Sequence, residues 1–244
     1  MPPSIESKID LFIVNNIINY VSIDTAPHAD DILSVDGKIV DCRRDRTVYR
    51  EGEPCTKLYK VVEGAVRICN FREDGCRQID AFYFPGDYFG FGLEPNACFT
   101  AEATTRSVLW SGDIQTILSR NARAEKVAGT MWKLAVWELR RSQNHALLLG
   151  YKNAQDRVLA FLKDVARRLR RSALVELPMS RQDIADYLGL TIETVSRSLT
   201  ELARRDIIQM PRPRSVVIKR TPQHRPTGDF RAPPFQPASL ASPN

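Results

Sequence analysis

The chain has 244 residues, of which 43% are hydrophobic, so it is long enough to bury a sizeable core in one large or two smaller domains. It has no run of 18 apolar residues, and its start lacks the basic and apolar regions of a secretory signal, so we expect neither a membrane span nor export. The five cysteines are an odd number and widely spaced, which favours free thiols in a reducing compartment. These features predict a cytoplasmic protein.

The net charge of +6 is distributed unevenly along the chain. Residues 1–150 carry 18 basic and 20 acidic side chains, whereas residues 151–220 carry 15 basic and 8 acidic ones, a net charge of +7. Such a local excess is typical of a segment that binds a polyanion. Basic side chains that merely solvate helices would produce a similar bias.

The first predicted element is a short helix over residues 8–19. From residue 48 to residue 110, short β-rich runs (VYR, LYKVV, AVRICNF, RQIDAFYF and SVLW) alternate with the turn signals EGEP, EDG and PGD. This alternation is typical of an antiparallel sandwich or barrel. Glycines 52, 64, 75 and 86 are expected to form its turns or bulges.

Helical periodicity follows, and residues 124–149 contain no proline. This long segment has more apolar surface than a small sandwich needs, so a partner helix across a dimer axis is expected to cover the rest. We assign the dimer contacts to Val127, Met131, Leu134 and Leu149. The alternative is a helix packed wholly against its own domain.

A second helix is predicted from a cap at Asn153 to Arg171, after a domain boundary near Gly150. Residues 221–244 are rich in proline and lose periodicity, so we expect a disordered tail.

Two short helices are predicted in the basic segment. Ser180 and Asp183 are spaced as a helix cap, Gly189 permits a tight turn, and Thr191 caps the following helix. Apolar residues recur at helical spacing on the inner side of both helices: Ile184, Ala185, Leu188, Ile192, Val195, Leu199 and Leu202. Two helices joined in this way form a helix-turn-helix.

Glu193, Ser196 and Arg197 lie at i, i+3 and i+4 and project together from the start of the second helix. In this motif that helix enters the major groove, where Arg binds guanine, Glu accepts from cytosine, and Ser bonds either a base or a phosphate. The alternative is a solvated face with a Glu193–Arg197 pair.

Contacts to the DNA backbone are expected around this helix. The segment DIIQMPRPRSVVIKR predicts a β-hairpin wing that carries Arg212 and Arg214 at its tip, where they would meet phosphates or only keep the loop soluble. We also assign backbone contacts to Ser180, Thr191 and Thr194.

The stretch LPMSRQDIADYLGLTIETVSRSL closely resembles the DNA-binding segment of CRP/FNR transcription regulators, in particular their FNR and FixK branch. EGEP, LYKVVEGAVRI, FPGDYFG and FTAEAT resemble the family's β-roll, and KNAQDRVLAFL resembles the helix that enters its DNA-binding domain. The resemblance implies an α+β fold. Its parts would be a β-roll sensor domain of the cupin-like jelly-roll type (1–123), a dimerisation helix (124–150), a winged helix-turn-helix domain (151–220) and the tail (221–244).

The resemblance also implies a function. The family's E-x-x-S-R signature falls on Glu193, Ser196 and Arg197, which would read a TTGAT half-site with Arg197 on the guanine. A homodimer would then bind double-stranded DNA at a TTGAT-N4-ATCAA-like inverted repeat. It would recruit RNA polymerase, most simply as an activator.

The residues with which other family members bind a signal are missing from this chain. Members that bind cAMP carry a glutamate for the ribose and an Arg-Ser pair for the phosphate, whereas this chain has Phe91 and Ala97-Cys98 near those places. No cysteine precedes Cys42, so an FNR-type iron-sulfur cluster is not expected. We therefore predict no cofactor and no metal. The resemblance to FixK-like members then implies control by the abundance of the protein, in genes that respond to oxygen, nitrogen oxides or redox state. Cys98 and Cys76 are the candidate redox thiols, and buried inert thiols are the alternative for most of the five cysteines.

Three other functions compete with this one. A metal-dependent enzyme is disfavoured because no histidine lies between residues 29 and 144. A protein-interaction module without DNA binding fits poorly with the Glu193, Ser196 and Arg197 set. A regulator that depends on a cyclic nucleotide is the remaining alternative.

Overall fold

The computed structural model describes residues 37–73, 75–91, 95–119, 124–170 and 174–219. The helix predicted over residues 8–19 and the tail predicted over residues 221–244 lie outside this part of the chain. Within it, we find no helix that combines the length and the apolar character needed to cross a membrane.

The N-terminal domain is an antiparallel β-roll, as predicted. Its strands are β1 (Lys38–Cys42), β2 (Thr47–Tyr49), β3 (Lys57–Glu63), β4 (Val66–Phe71), β5 (Arg77–Tyr83), β6 (Tyr88–Phe89), β7 (Thr100–Ala103) and β8 (Ser107–Asp113). One sheet has the order β1-β8-β3-β6 and the other the order β2-β7-β4-β5. The β-rich runs did not reveal β1, β6 or β7, although the resemblance includes FPGDYFG and FTAEAT, which contain β6 and β7.

The four predicted turn glycines all adopt positive φ angles, between 79° and 100°. At Gly64 a Cβ atom would also lie 2.5 Å from the carbonyl oxygen of Arg106. Any side chain at Gly64 would therefore clash with the backbone of the turn between β7 and β8.

Aromatic side chains fill the space between the two sheets. Tyr59 stacks on Phe89 with ring centroids 5.2 Å apart, and Tyr49 lies 5.8 Å from Tyr59. Tyr83 and the buried Trp137 extend this cluster toward the helical side of the roll.

Helix α1 (Ile114–Ser119) leads from the roll to helix α2 (Ala124–Leu149). Val127 and Leu134 on α2 are 3% and 0% exposed, because they pack with Leu58 and Ile117 of their own domain. Met131 is partly buried against the same cluster. Val127 and Leu134 are thus occupied within their own domain, Met131 is partly so, and Leu149 is the exposed residue of the predicted set, whose role in a dimer stays a prediction.

The C-terminal domain is a winged helix-turn-helix, as predicted. Its helices are α3 (Ala154–Arg168), α4 (Arg181–Leu188) and α5 (Ile192–Arg204). A small sheet is formed by β9 (Val175–Glu176), which lies between α3 and α4, and by β10 (Ile208–Arg212) and β11 (Ser215–Ile218), which follow α5. Asn153 caps α3 by accepting from the backbone N–H of Gln155. The helix ends before the predicted Arg171, since Arg170 turns into the left-handed conformation with φ of 52°.

A single hydrophobic cluster joins the two domains. Phe82 of β5 lies 5.2 Å from the ring of Tyr187 on α4 and 6.1 Å from that of Phe161 on α3. Beside it, Arg168 of α3 forms an ion pair of 2.7 Å with the buried Asp87 of the roll. The helix-turn-helix is therefore packed directly onto the β5 side of the roll.

Candidate nucleic-acid interface

Local hydrogen bonds set the geometry of α4 and α5. The Ser180 hydroxyl accepts from the backbone N–H of Asp183, and the Asp183 carboxylate accepts from the backbone N–H of Ser180, which completes a capping box. Gly189 ends α4 with φ of 62°, and Thr191 Oγ1 accepts from the N–H of Thr194 to begin α5. The caps predicted from sequence are thus present.

The inner faces of the two helices are packed as predicted, with one exception. Ile184, Ala185, Leu188, Val195, Leu199 and Leu202 are buried. Ile192 is 37% exposed, because the first residue of α5 lies beyond the edge of the core. The position that follows Arg197 is the buried Ser198.

Glu193 and Arg197 are exposed on the outer face of α5, with the partly exposed Ser196 between them. The pKa of Glu193 lies below its usual value because its carboxylate accepts a hydrogen bond from its own backbone N–H, helped by the Thr191 hydroxyl and by the charge of Arg197. An ionised Glu193 only accepts hydrogen bonds, as a contact to a cytosine amino group requires.

Arg181, at the start of α4, extends this outer face. Its guanidinium Nη1 lies 3.3 Å from Ser196 Oγ, and both side chains are accessible to solvent. Arg181 was not predicted from the sequence. The sequence could have suggested Arg181 as a phosphate contact, because it follows the Ser180 cap directly and the N-terminus of a helix already favours anions.

The assigned backbone contacts differ in their freedom to reach a phosphate. Arg212 on the wing is exposed, whereas Arg214 is half-buried. Thr191 is exposed and Thr194 half-buried on α5. The Ser180 hydroxyl donates to Asp183, so the predicted contact of Ser180 with a phosphate would require this hydrogen bond to be exchanged.

A buried ion-pair cluster, which we call the clamp (Arg67, Arg77, Asp183 and Asp186), ties α4 to the roll. Asp183 accepts from Arg67 of β4 at 3.0 Å and from Arg77 of β5 at 2.6 Å, and Arg77 also pairs with Asp186 at 2.7 Å. Burial raises the pKa of Asp183, but the hydrogen bonds from Ser180 and the two arginine charges lower it below its ordinary value. The clamp fixes the first helix of the motif to the roll. Its partners are more than 100 residues apart, so no local pattern predicted it.

The cysteines divide by exposure. Both candidate redox thiols, Cys76 and Cys98, are exposed, whereas Cys42 and Cys69 are buried. Burial raises the pKa of Cys69 to about 12, which keeps it in the unreactive thiol form. In the described chain no three His, Cys, Asp or Glu side chains are grouped as a metal site would need.

A cavity of about 310 Å³ opens at one end of the roll, beside Tyr49 and Tyr59. Its charged lining residues are Glu53 and Lys57, and Ala97 lies where the resemblance expects an arginine. Phe91 is packed against the core rather than presenting a carboxylate. Among the described residues, this lining offers no arginine to the phosphate of a cyclic nucleotide and includes the acidic Glu53, so it fits such a ligand poorly.

Two family models match the chain. The Crp-like helix-turn-helix domain matches residues 156–223, and the cyclic nucleotide-binding domain matches residues 39–119. The chain therefore combines both folds in the order that the structure shows.

Similar proteins agree with this order. The nitrogen fixation regulation protein FixK of Azorhizobium caulinodans is 39% identical over 204 residues, which cover 82% of each chain. The transcriptional activatory protein AadR of Rhodopseudomonas palustris is 36% identical over 168 residues, 66% of this chain and 69% of AadR. The structure of FixK2 from Bradyrhizobium japonicum is 39% identical and superimposes with a TM-score of 0.73, covering 76% of this chain and 94% of FixK2. The chain belongs to the CRP/FNR family of DNA-binding transcription regulators and is FixK-like.

Proposed function

We propose that the protein is a cytoplasmic homodimer that binds a TTGAT-N4-ATCAA-like inverted repeat and activates transcription there by recruiting RNA polymerase. The observation that carries this proposal is that Glu193, Arg197 and the partly exposed Ser196 share the outer face of a helix whose other side is buried. Such a helix presents, on one face, three side chains of the types that hydrogen-bond to base edges, and the major groove is wide enough to admit the helix. The similarity to the activatory protein AadR supports activation.

A heptad seam on α2 supports the dimer. Trp132, Ala135, Leu139, Ala146 and Leu149 follow an alternating spacing of three and four residues, interrupted only by Ser142, and all of them are exposed. This spacing is that of the a and d positions of a two-stranded coiled coil. Trp132 is 71% exposed and Leu139 59% exposed, so burial against a second copy would remove a large apolar area from water.

The proposed regulator needs no bound effector. The described lining of the roll cavity has no arginine for the phosphate of a cyclic nucleotide, and the clamp already holds α4 against the roll. Control would then act through the amount of protein or through its exposed thiols, in genes that respond to oxygen, nitrogen oxides or redox state.

A regulator that depends on a cyclic nucleotide is the second candidate. The cavity of about 310 Å³ and the match to the cyclic nucleotide-binding domain favour it.

The test is binding of the reduced protein to a duplex with the inverted repeat and to a scrambled duplex, at fixed physiological salt, with and without cAMP. Selective binding without cAMP is the expected result. Selectivity that appears only with cAMP supports the second candidate, and no selectivity in either condition overturns the proposed site.

A further inference from the structure

We propose that a cavity between helices α2, α3 and α4, which we call the hinge cavity, binds a small aromatic carboxylate. Its volume is about 100 Å³, and its walls come from α2, from the connection between α2 and α3, from α3, and from Tyr187 of α4. None of its described lining residues belongs to the cavity of the roll. The proposal goes beyond DNA binding and does not depend on it.

Aromatic and aliphatic side chains form much of the wall of the hinge cavity. Leu148, Phe161 and Tyr187 line it, and the rings of Phe161 and Tyr187 lie 5.4 Å apart. Such walls suit an aromatic ring, because ring pairs gain from offset and edge-to-face contacts. A closed protein cavity of about 150 Å³ accepts benzene, so the smaller hinge cavity has room for no more than one ring.

Three polar side chains of the lining have unused hydrogen-bonding groups. The indole N–H of Trp137 is buried without an acceptor in the described chain, and Trp137 as a whole is 6% exposed. The Lys163 ammonium and the Asn144 amide, which also line the cavity, make no hydrogen bond or ion pair with a described residue. Indole and ammonium groups only donate, so an anionic oxygen satisfies them and a second donor does not.

The charges of the lining also favour an anion. Its arginines already have carboxylate partners, in the pairs Arg141–Asp80, Arg167–Asp164 and Arg168–Asp87. Lys163 lacks such a partner among the residues that the structure describes. Burial lowers the pKa of Lys163, and the charge of Asp156 offsets this only in part. A carboxylate in the cavity would supply the missing counter-charge.

A dimer through the heptad seam would not cover the hinge cavity. Trp137, Arg141, Asn144 and Leu148 are separated by four, three and four residues, so they share one face of α2. Leu139 of the seam lies two residues from both Trp137 and Arg141, which places it on the nearly opposite face. Binding and dimerisation therefore use different sides of the same helix.

The ligand would stabilise the docked arrangement of the two domains without being required for DNA binding. Trp137 of the lining packs on Tyr83 of the roll, whereas Phe161 and Tyr187 belong to the C-terminal domain. A ligand that binds only while these elements are in place stabilises that arrangement, increasingly so as its concentration exceeds its Kd.

The test titrates the reduced full chain with benzoate and with benzamide, which has the same ring and a similar shape but no charge. NMR spectra of the indole N–H groups locate the ligand, because Trp137→Phe identifies the Trp137 resonance. Lys163→Gln removes the unpaired ammonium, and Ala160→Leu fills the cavity that Ala160 lines. Lys152→Gln is the matched control, since Lys152 is exposed and outside the lining.

Benzoate should bind the wild type about 10-fold more tightly than benzamide does and should shift the Trp137 resonance. Lys163→Gln should weaken benzoate binding about 10-fold and leave benzamide binding unchanged, because only the carboxylate uses the ammonium charge. Ala160→Leu should abolish binding of both compounds, and Lys152→Gln should behave as the wild type. Benzoate should also raise the melting temperature of the wild type.

Equal affinity for benzoate and benzamide, or no binding of benzoate, would overturn the proposal. So would unchanged benzoate affinity in Lys163→Gln, a result that does not depend on whether Ala160→Leu folds. A shift confined to the Trp110 or Trp132 resonance would place the ligand elsewhere and overturn it as well. These titrations contain no DNA, so failure to select the inverted repeat would count against the proposed function alone.

Discussion

Arg197 is the residue on which the reading of guanine depends. Arg197→Ala should weaken binding to the inverted repeat by about 1–3 kcal/mol and relax the preference at that guanine, because two parallel hydrogen bonds are removed. The measurement is a set of titrations with the repeat and with single-base variants. Arg204→Ala is the matched control: Arg204 lies exposed on the same helix, where it pairs with Glu201. An equal loss on scrambled DNA would argue against base reading.

Thiol reactivity should follow exposure. In the folded protein, Cys76 and Cys98 should react rapidly with an alkylating reagent, whereas Cys42 and Cys69 should react only after unfolding, because both are buried and burial raises the pKa of each. Mass spectrometry of peptides after timed labelling checks this order. Cys98→Ser should leave DNA affinity unchanged under reducing conditions; a large loss there would make the thiol structural rather than regulatory.

His145 should make stability depend on pH. It is buried against Tyr187, with its Nε2 2.7 Å from the Tyr187 carbonyl oxygen, and burial lowers its pKa below 6.5. As the pH falls, the histidine is protonated in the unfolded chain before it is protonated in the folded chain. The stabilising contribution is therefore complete above about pH 6.5 and is lost as the pH falls from there through the lowered pKa of the folded state. Thermal melts between about pH 7.5 and 5 should show a steeper decline for the wild type than for His145→Phe. Parallel curves would refute this role.

Helix α2 shows that the sequence predicts an element more readily than it predicts which face of the element packs against its own domain. Its length and apolar content were evident from sequence, but two apolar stripes share the helix, and periodicity does not say which one meets the roll. Val127 and Leu134 belong to the inner stripe, while Trp132 and Leu139 belong to the outer one. Only the three-dimensional position of the roll separates them.

The outer stripe of α2 leads to a prediction about assembly. Leu139→Glu should convert the dimer into a monomer, because it places two like charges at a coiled-coil seam. Light scattering after size exclusion, at fixed concentration, measures the mass. Arg140→Glu, at the neighbouring position off the seam, should remain dimeric. A dimeric Leu139→Glu protein would show that the copies meet elsewhere.

The helix-turn-helix was predicted more completely than the β-roll. Its caps at Ser180 and Thr191 and the turn at Gly189 are local signals, which sequence records directly. In the roll, β1 and β6 carry little local signal, since β1 is largely exposed and β6 has two residues. Their pairing partners, β8 and β3, are set by the closure of the roll rather than by neighbours in sequence.

At the scale of the whole molecule, the clamp connects sensing and DNA-binding domains. Arg67→Gln should lower the free energy of unfolding by about 3–5 kcal/mol, because it leaves the largely buried carboxylate of Glu102 without its counter-charge and leaves Asp183 with Arg77 alone. Denaturant titration measures the loss. Arg106→Gln, which breaks an exposed ion pair with Asp41, should leave stability nearly unchanged. A similar loss of unfolding free energy in both variants would show that the clamp stabilises the protein no more than an exposed ion pair does.

The hydrophobic cluster that runs from Phe82 of the roll to Tyr187 and Phe161 of the C-terminal domain has a consequence for how the regulator is switched off. Residues that share one core open together, so the two domains form one cooperative unit rather than two that melt separately. Damage anywhere in the roll would then expose the whole chain to proteases instead of releasing an active DNA-binding fragment. If the activity of the proposed regulator follows its abundance, the equilibrium between the folded and the unfolded chain would therefore set both its activity and its rate of degradation.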